Sequence, residues 1–157
     1  MGIRKAVKSD RAALAGMISA SDNLTGEEKE CAVELLDVYL SDSAQKDYSF
    51  IVEADEQDGA TGYACYGKRP LTQGTYDLYW IVVDPRHRRK GIGAHLVAAA
   101  TEQLKKEGMR LLVAETSGTK GYAAAMSFYL KNGFTIEARI KEFYKPGDDL
   151  MVFVKRF

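Results

Sequence analysis

The chain is poor in the residues that build metal centres and disulfide frameworks. It has only two cysteines, Cys31 and Cys65, and two histidines, His87 and His95. These form no CxxC pair and no Cys/His cluster, so the three or four convergent ligands of a metal site are missing and no metal is expected. Both cysteines stand among apolar residues and are expected to be buried free thiols. A surplus of charge is also absent: Lys plus Arg and Asp plus Glu number 22 each. No net field therefore draws the protein to nucleic acid or to an anionic membrane. No run of about 18 apolar residues occurs, and the opening "MGIRKAVKSD" lacks the apolar centre of a signal peptide. No membrane partner and a cytoplasmic location are the expectations. Repeats, low-complexity segments and linkers are missing too.

What is present suits one domain spanning residues 1–157. Hydrophobic residues make up 46% and charged residues 28% of the chain, and a chain of this size buries a core without staples. "IRKAV" (Ile3–Val7) reads as a first strand. Ser9 and Asp10 can cap a helix to Ala20, with Leu14, Met17 and Ile18 on one face. Thr25-x-x-Glu28 is a capping box that opens a second helix to Leu40. Two strands follow around a polar turn at Glu56–Gly59, then a central strand "TYDLYWIVV" (Thr75–Val83) that Pro85 stops. A helix from Gly91 to Gly108, a strand at Arg110–Thr116 and a helix at Tyr122–Gly133 come next, the last with Tyr122, Met126, Tyr129 and Leu130 stacked. "FTIEARI" (Phe134–Ile140) and "DLMVFVKRF" close the chain as a hairpin across Pro146-Gly147. The order β-α-α-β-β-β-α-β-α-β-β defines an α/β domain with a mixed sheet, hairpins at both ends and helical crossovers between.

The most informative stretch is "DPRHRRKGIGAHL" (Asp84–Leu96). A strand, a basic loop and Gly-x-Gly at the mouth of a helix form a geometry that binds phosphate. The first helical turn has N–H groups without partners and the positive end of the dipole, and glycine admits an anion without a Cβ in the way. Arg88, Arg89 and Lys90 add charge. Neither the dinucleotide fingerprint nor a Walker A loop fits, since position 96 is Leu and no Gly-Lys-Ser/Thr follows. A solvated basic turn, or a nucleic-acid patch at Arg86–Lys90, are the alternatives.

With its flanks, "VVDPRHRRKGIGAHLV" resembles the signature of the GNAT superfamily of N-acetyltransferases. "FYLKNGF" (Phe128–Phe134) is similar to a second motif of that family, and the element order matches along nearly the whole chain. The resemblance implies the GNAT fold, a central mixed, mostly antiparallel sheet flanked by helices, and acetyl-CoA as co-substrate. It also implies that the N–H groups of Arg88, Arg89, Lys90, Gly91, Ile92, Gly93 and Ala94 bind the pyrophosphate. Ile81, Val82 and Val83 would bond the pantetheine arm where the central strand splays from its neighbour, and the N–H near Ile81 would polarise the thioester carbonyl.

Acetyl transfer needs a neutral amine. With a pKa of about 10.4, an alkyl amine is neutral in roughly one part in 10³ at pH 7, so a base is useful at one end and an acid for the thiolate at the other. Tyr129 matches the family's acid. Asp77, four residues before Ile81, and Glu115, at the end of the next strand, are candidate bases; alternation puts 77, 79 and 81 on one face. The sequence departs from the family where "TSGTKGYAAA" replaces a Ser-Asn-x-x-Ala motif, with Lys120 or Tyr122 as substitute cofactor contacts. Acidic loops at Ser21–Glu30, Ser41–Tyr48 and Glu142–Asp149 favour a cationic acceptor. A small-molecule amine is expected, with a protein N-terminus or lysine, or a non-catalytic acyl-CoA sensor, as alternatives. The final strand "LMVFV" offers an edge for a homodimer.

Overall fold

The computed structural model describes residues 2–119 and 121–157. Strands β1 (Gly2–Lys5), β2 (Ser49–Ala54), β3 (Ala60–Lys68), β4 (Thr75–Val83), β5 (Leu111–Ser117), β6 (Thr135–Lys145) and β7 (Asp148–Arg156) form one sheet in the order β1-β2-β3-β4-β5-β7-β6. Helices α1 (Arg11–Ala20), α2 (Gly26–Ser41), α3 (Ile92–Lys106) and α4 (Tyr122–Lys131) cover its faces. The element order is the one the sequence predicts. Among the described residues only the β4–β5 pairing is parallel, and the crossover that a parallel pair requires is supplied by α3.

Two cores lie on the two faces of the sheet. Leu96, Val97, Ala100 and Leu104 of α3 pack on Tyr66, Leu78, Leu112 and Phe153. Leu14, Met17 and Ile18 of α1, with Ala32 and Leu36 of α2, pack on Phe50, Val52, Tyr63 and Val82. The predicted helical stripes are therefore the ones that bury apolar area, at about 25 cal/mol per Å². The capping box of α2 forms, with Thr25 Oγ1 accepting from Glu28 N at 3.1 Å and Glu28 Oε1 accepting from Thr25 N at 3.0 Å.

Several local expectations are corrected. β1 ends at Lys5, because Asp10 turns back to accept the Val7 N–H and to pair with Arg4 instead of capping α1. Cys65 is buried, but Cys31 is exposed, one position off the Ala32–Leu36 stripe. Leu130 is 47% exposed, so only Tyr122, Met126 and Tyr129 of that set pack inward. β7, the proposed dimer edge, is paired on both sides by β5 and β6. The edge on that side of the sheet belongs to β6, whose register breaks twice, a feature that discourages edge-to-edge pairing.

Gly93 has a packing role. A Cβ there would lie 2.8 Å from Phe128 Cε1, so α3 and α4 approach through this residue. Gly93→Ala is expected to destabilise the protein by about 1–3 kcal/mol, read from urea denaturation midpoints; an unchanged midpoint would show that the Phe128 ring gives way freely.

Candidate active site

The site begins where β4 and β5 part. Their pairing stops at Asp77–Val113, yet β4 stays on β3 to Val83 and β5 stays on β7 to Ser117. A wedge therefore opens between residues 78–83 and 114–117, with backbone groups of both strands facing into it. The Asp84 N–H donates to Thr61 O on the β3 side. By alternation Val82 also turns its N–H to β3, and Ile81 and Val83 turn theirs into the wedge. The Val82 main chain is thus directed to β3, where it pairs with Tyr63.

A bulge re-aims the side chains of β4. Cys65 faces Trp80 and Tyr66 faces Leu78, leaving Tyr79 as the extra residue. Tyr76, Leu78, Ile81 and Val83 thus join the α3 core, and Tyr79, Trp80 and Val82 the α1–α2 core. The expected alternation of 77, 79 and 81 on one face breaks here: Asp77, between Tyr76 and Leu78, lies on the face opposite Ile81.

Beyond the wedge the chain makes the basic loop. Asp84 accepts the Arg86 N–H at 2.9 Å and pairs with the Arg86 guanidinium at 2.6 Å, which removes Arg86 from the free positive charge. Among the described residues, no carboxylate pairs with Arg88, Arg89 or Lys90, and Lys90 Nζ lies 3.4 Å from His87 Nδ1. The backbone is left-handed at Arg89 (φ 64°) and at Gly91 (φ 73°). Such reversals turn successive N–H groups into one concavity. The first bonded amide of α3 is His95, which donates to Gly91 O; from Arg88 to Ala94 no N–H has a partner among the described residues. Gly91 answers the left-handed backbone angle, and Gly93 also makes room for the Phe128 ring.

Tyr129 packs its ring against Phe134, Phe153 and Phe128 at centroid distances of 5.2, 5.0 and 5.4 Å. Burial pushes its hydroxyl up to about 12, so it is a protonated phenol at neutral pH. Tyr122 packs toward Phe153, and Lys120 lies outside the described residues. On the opposite face, sequence reasoning missed Arg69. Its Nε and Nη2 hold both oxygens of buried Asp77 at 2.6 Å, and Nη2 reaches Glu115 Oε1 at 3.2 Å. The two candidate bases are thus joined through one guanidinium, a contact between residues 46 positions apart that no local pattern announces. Tyr144 stands nearby: burial raises its hydroxyl, and Glu115, Glu28 and Asp148 act in the same direction. A separate concavity of about 430 Å³ between α1 and the Asp84–Arg86 turn is lined by apolar residues of α1, by Pro85 and by the mutually paired Asp84 and Arg86.

The wedge, the anion cradle and the flanking helices define a coenzyme-dependent acyl-transfer fold. Residues 15–134 match the model of the acetyltransferase (GNAT) family. A Desulfovibrio desulfuricans protein assigned to that family has a solved structure that superposes with a TM-score of 0.92 at 38% identity, covering 99% of this chain and 98% of that one. The L-methionine sulfoximine/L-methionine sulfone acetyltransferase of Pseudomonas aeruginosa is 28% identical over 128 residues, 78% of this chain and 73% of that protein. The Escherichia coli [ribosomal protein bS18]-alanine N-acetyltransferase is 36% identical over 82 residues, 50% of this chain and 53% of that protein. The chain belongs to the GNAT family of acetyltransferases.

The Asp84 turn that launches the loop is pH-sensitive. Arg86 holds the Asp84 carboxyl down at about 2, below the usual value of about 3.9. This stabilisation is complete above pH 4 and is lost as pH falls through 2. Because Arg86 is 82% exposed, solvent screening limits it to below about 1 kcal/mol. Asp84→Asn is expected to lower the denaturation midpoint at pH 7 and to converge on the parent protein near pH 2; a constant difference would refute the pairing.

Proposed function

We propose that the protein is an N-acetyltransferase that moves the acetyl group of acetyl-CoA onto a primary amine of a small molecule. The observation that carries this reading is the wedge beside the row of unbonded N–H groups from Arg88 to Ala94. The cradle suits a pyrophosphate, and the inward-facing groups of Ile81 and Val83 suit the amides of an extended pantetheine arm. The family match supports the same co-substrate. The similarity to an acetyltransferase of L-methionine sulfoximine supports a small acceptor; the shorter match to a ribosomal-protein acetyltransferase favours a peptide N-terminus as the second reading.

The two faces of the wedge divide the chemistry. Tyr129 belongs to the α3–α4 face. Glu115, whose neighbour Ala114 is in that core, belongs to the other, with Asp77. An amine entering from the Glu115 side attacks the thioester carbon as the carboxylate takes its proton. The Ile81 N–H stabilises the oxyanion. The C–S bond then breaks, and the thiolate leaves toward Tyr129, which gives up its proton. Glu115 suits the base role better than Asp77: Arg69 engages both oxygens of Asp77 but only one of Glu115, which is 40% exposed. Asp77 then acts as a positioning residue that holds Arg69.

Calorimetric titration with acetyl-CoA is expected to give micromolar binding, with none for NADH or a short DNA duplex; failure to bind acetyl-CoA would overturn the reading. Tyr129→Phe is expected to lower the acetylation rate by roughly 10²–10⁴-fold with little change in acetyl-CoA affinity, and an unaltered rate would remove Tyr129 from the reaction.

A further inference from the structure

We infer that Arg69 and Glu115 together form a receptor for a zwitterion, so that the acceptor is an α-amino acid bound through both its ammonium and its carboxylate. The inference rests on the acetyl-transfer reading and specifies the acceptor of that site. Arg69 donates through Nε and Nη2 only, and its Nη1 has no partner among the described residues. Glu115 accepts through Oε1 only, and its Oε2 is likewise unengaged. Both side chains are nearly half exposed, at 46% and 40%, whereas Asp77 beneath them is 7% exposed. The Nη2–Oε1 contact of 3.2 Å therefore leaves one free donor group and one free acceptor atom side by side, just beyond the last β4–β5 pair. Asp77 fixes the guanidinium plane by a two-point contact and so orients the free donors.

Other acceptors match this surface less well. A diamine or polyamine would complement Glu115 but set a second positive charge against Arg69. A peptide N-terminus would offer Nη1 a neutral carbonyl, and hydrogen bonds with both partners charged are roughly twice as strong as neutral ones. An α-amino acid satisfies both groups. Its ammonium gives one proton to Glu115 and the freed amine attacks the thioester carbon. As the C–S bond breaks, the departing thiolate takes a proton from Tyr129, the new amide nitrogen releases its remaining surplus proton to water, and Arg69 keeps the carboxylate in place through the step. Arg69 is then a specificity residue that touches substrate, as well as the link between the two carboxylates.

The test measures CoA release from acetyl-CoA with the common L-α-amino acids, each beside its α-carboxamide, and with putrescine and spermidine. At least one free amino acid is expected to exceed its carboxamide in kcat/KM by tenfold or more. Replacing Arg69 alone would leave Asp77 buried and unpaired, so the variant is Arg69→Met combined with Asp77→Asn. It is expected to lose the preference for the free acid mainly through KM. Preference for carboxamides or diamines, the absence of any amino-acid substrate, or a preference that survives in the double variant would each overturn the inference. Retained acetyl-CoA binding in the same preparation would show that the transferase reading stands without it.

Discussion

The parting of β4 from β5 after Asp77–Val113 is the constraint on which the rest depends. A parallel pair normally shares hydrogen bonds along its length, and buried strand amides without partners are costly. Here each strand stays paired on its other edge, β4 by β3 apart from the Tyr79 bulge and β5 by β7, so the sheet survives the gap. The polar groups left over are available to a ligand that runs between the strands. The wedge is an unfilled position in the sheet that an extended polyamide arm can occupy.

The features around the gap depend on it. The bulge at Tyr79 sends Ile81 toward α3 and keeps Asp77 on the opposite face, so one strand presents groups to both faces of the wedge. Arg69 then ties β3, β4 and β5 together at the base of the wedge. Left-handed turns at Arg89 and Gly91 gather N–H groups at its far end, and Gly93 lets α4 close over α3. A row of open amides at one end, a carboxylate on one face and a protonated phenol on the other are the parts on which the proposed acetyl transfer rests.

Electrostatics separates the cradle from its surroundings. The stretch from Asp84 to Lys90 reads as one basic run, yet Arg86 is consumed by Asp84. The charge left unpaired is that of Arg88, Arg89 and Lys90, beside the open amides. In a chain with equal numbers of acidic and basic residues, the positive charge is thereby focused on one loop rather than spread over the surface.

Element order, helical faces, the α2 capping box and the basic loop were legible in the sequence because each is a local pattern, set by the period of a helix or strand and by glycine and proline at its ends. The motifs around Gly91 and Phe128 led to the family for the same reason. Other features depended on contacts that span the chain. Asp10 chose Arg4 over its helix, Cys31 fell just off the buried stripe, and β7 became an interior strand because β6 returned outside it. Only the packed sheet decided which face Asp77 takes, since one extra residue at Tyr79 reverses every side chain beyond it. The link from Asp77 through Arg69 to Glu115 joins β4 and β5 through the residue that follows β3, and spacing along a chain carries no information about such a meeting. The sequence by itself determined the elements and the family; the tertiary structure decided where the strands part and which charged groups face one another across the gap.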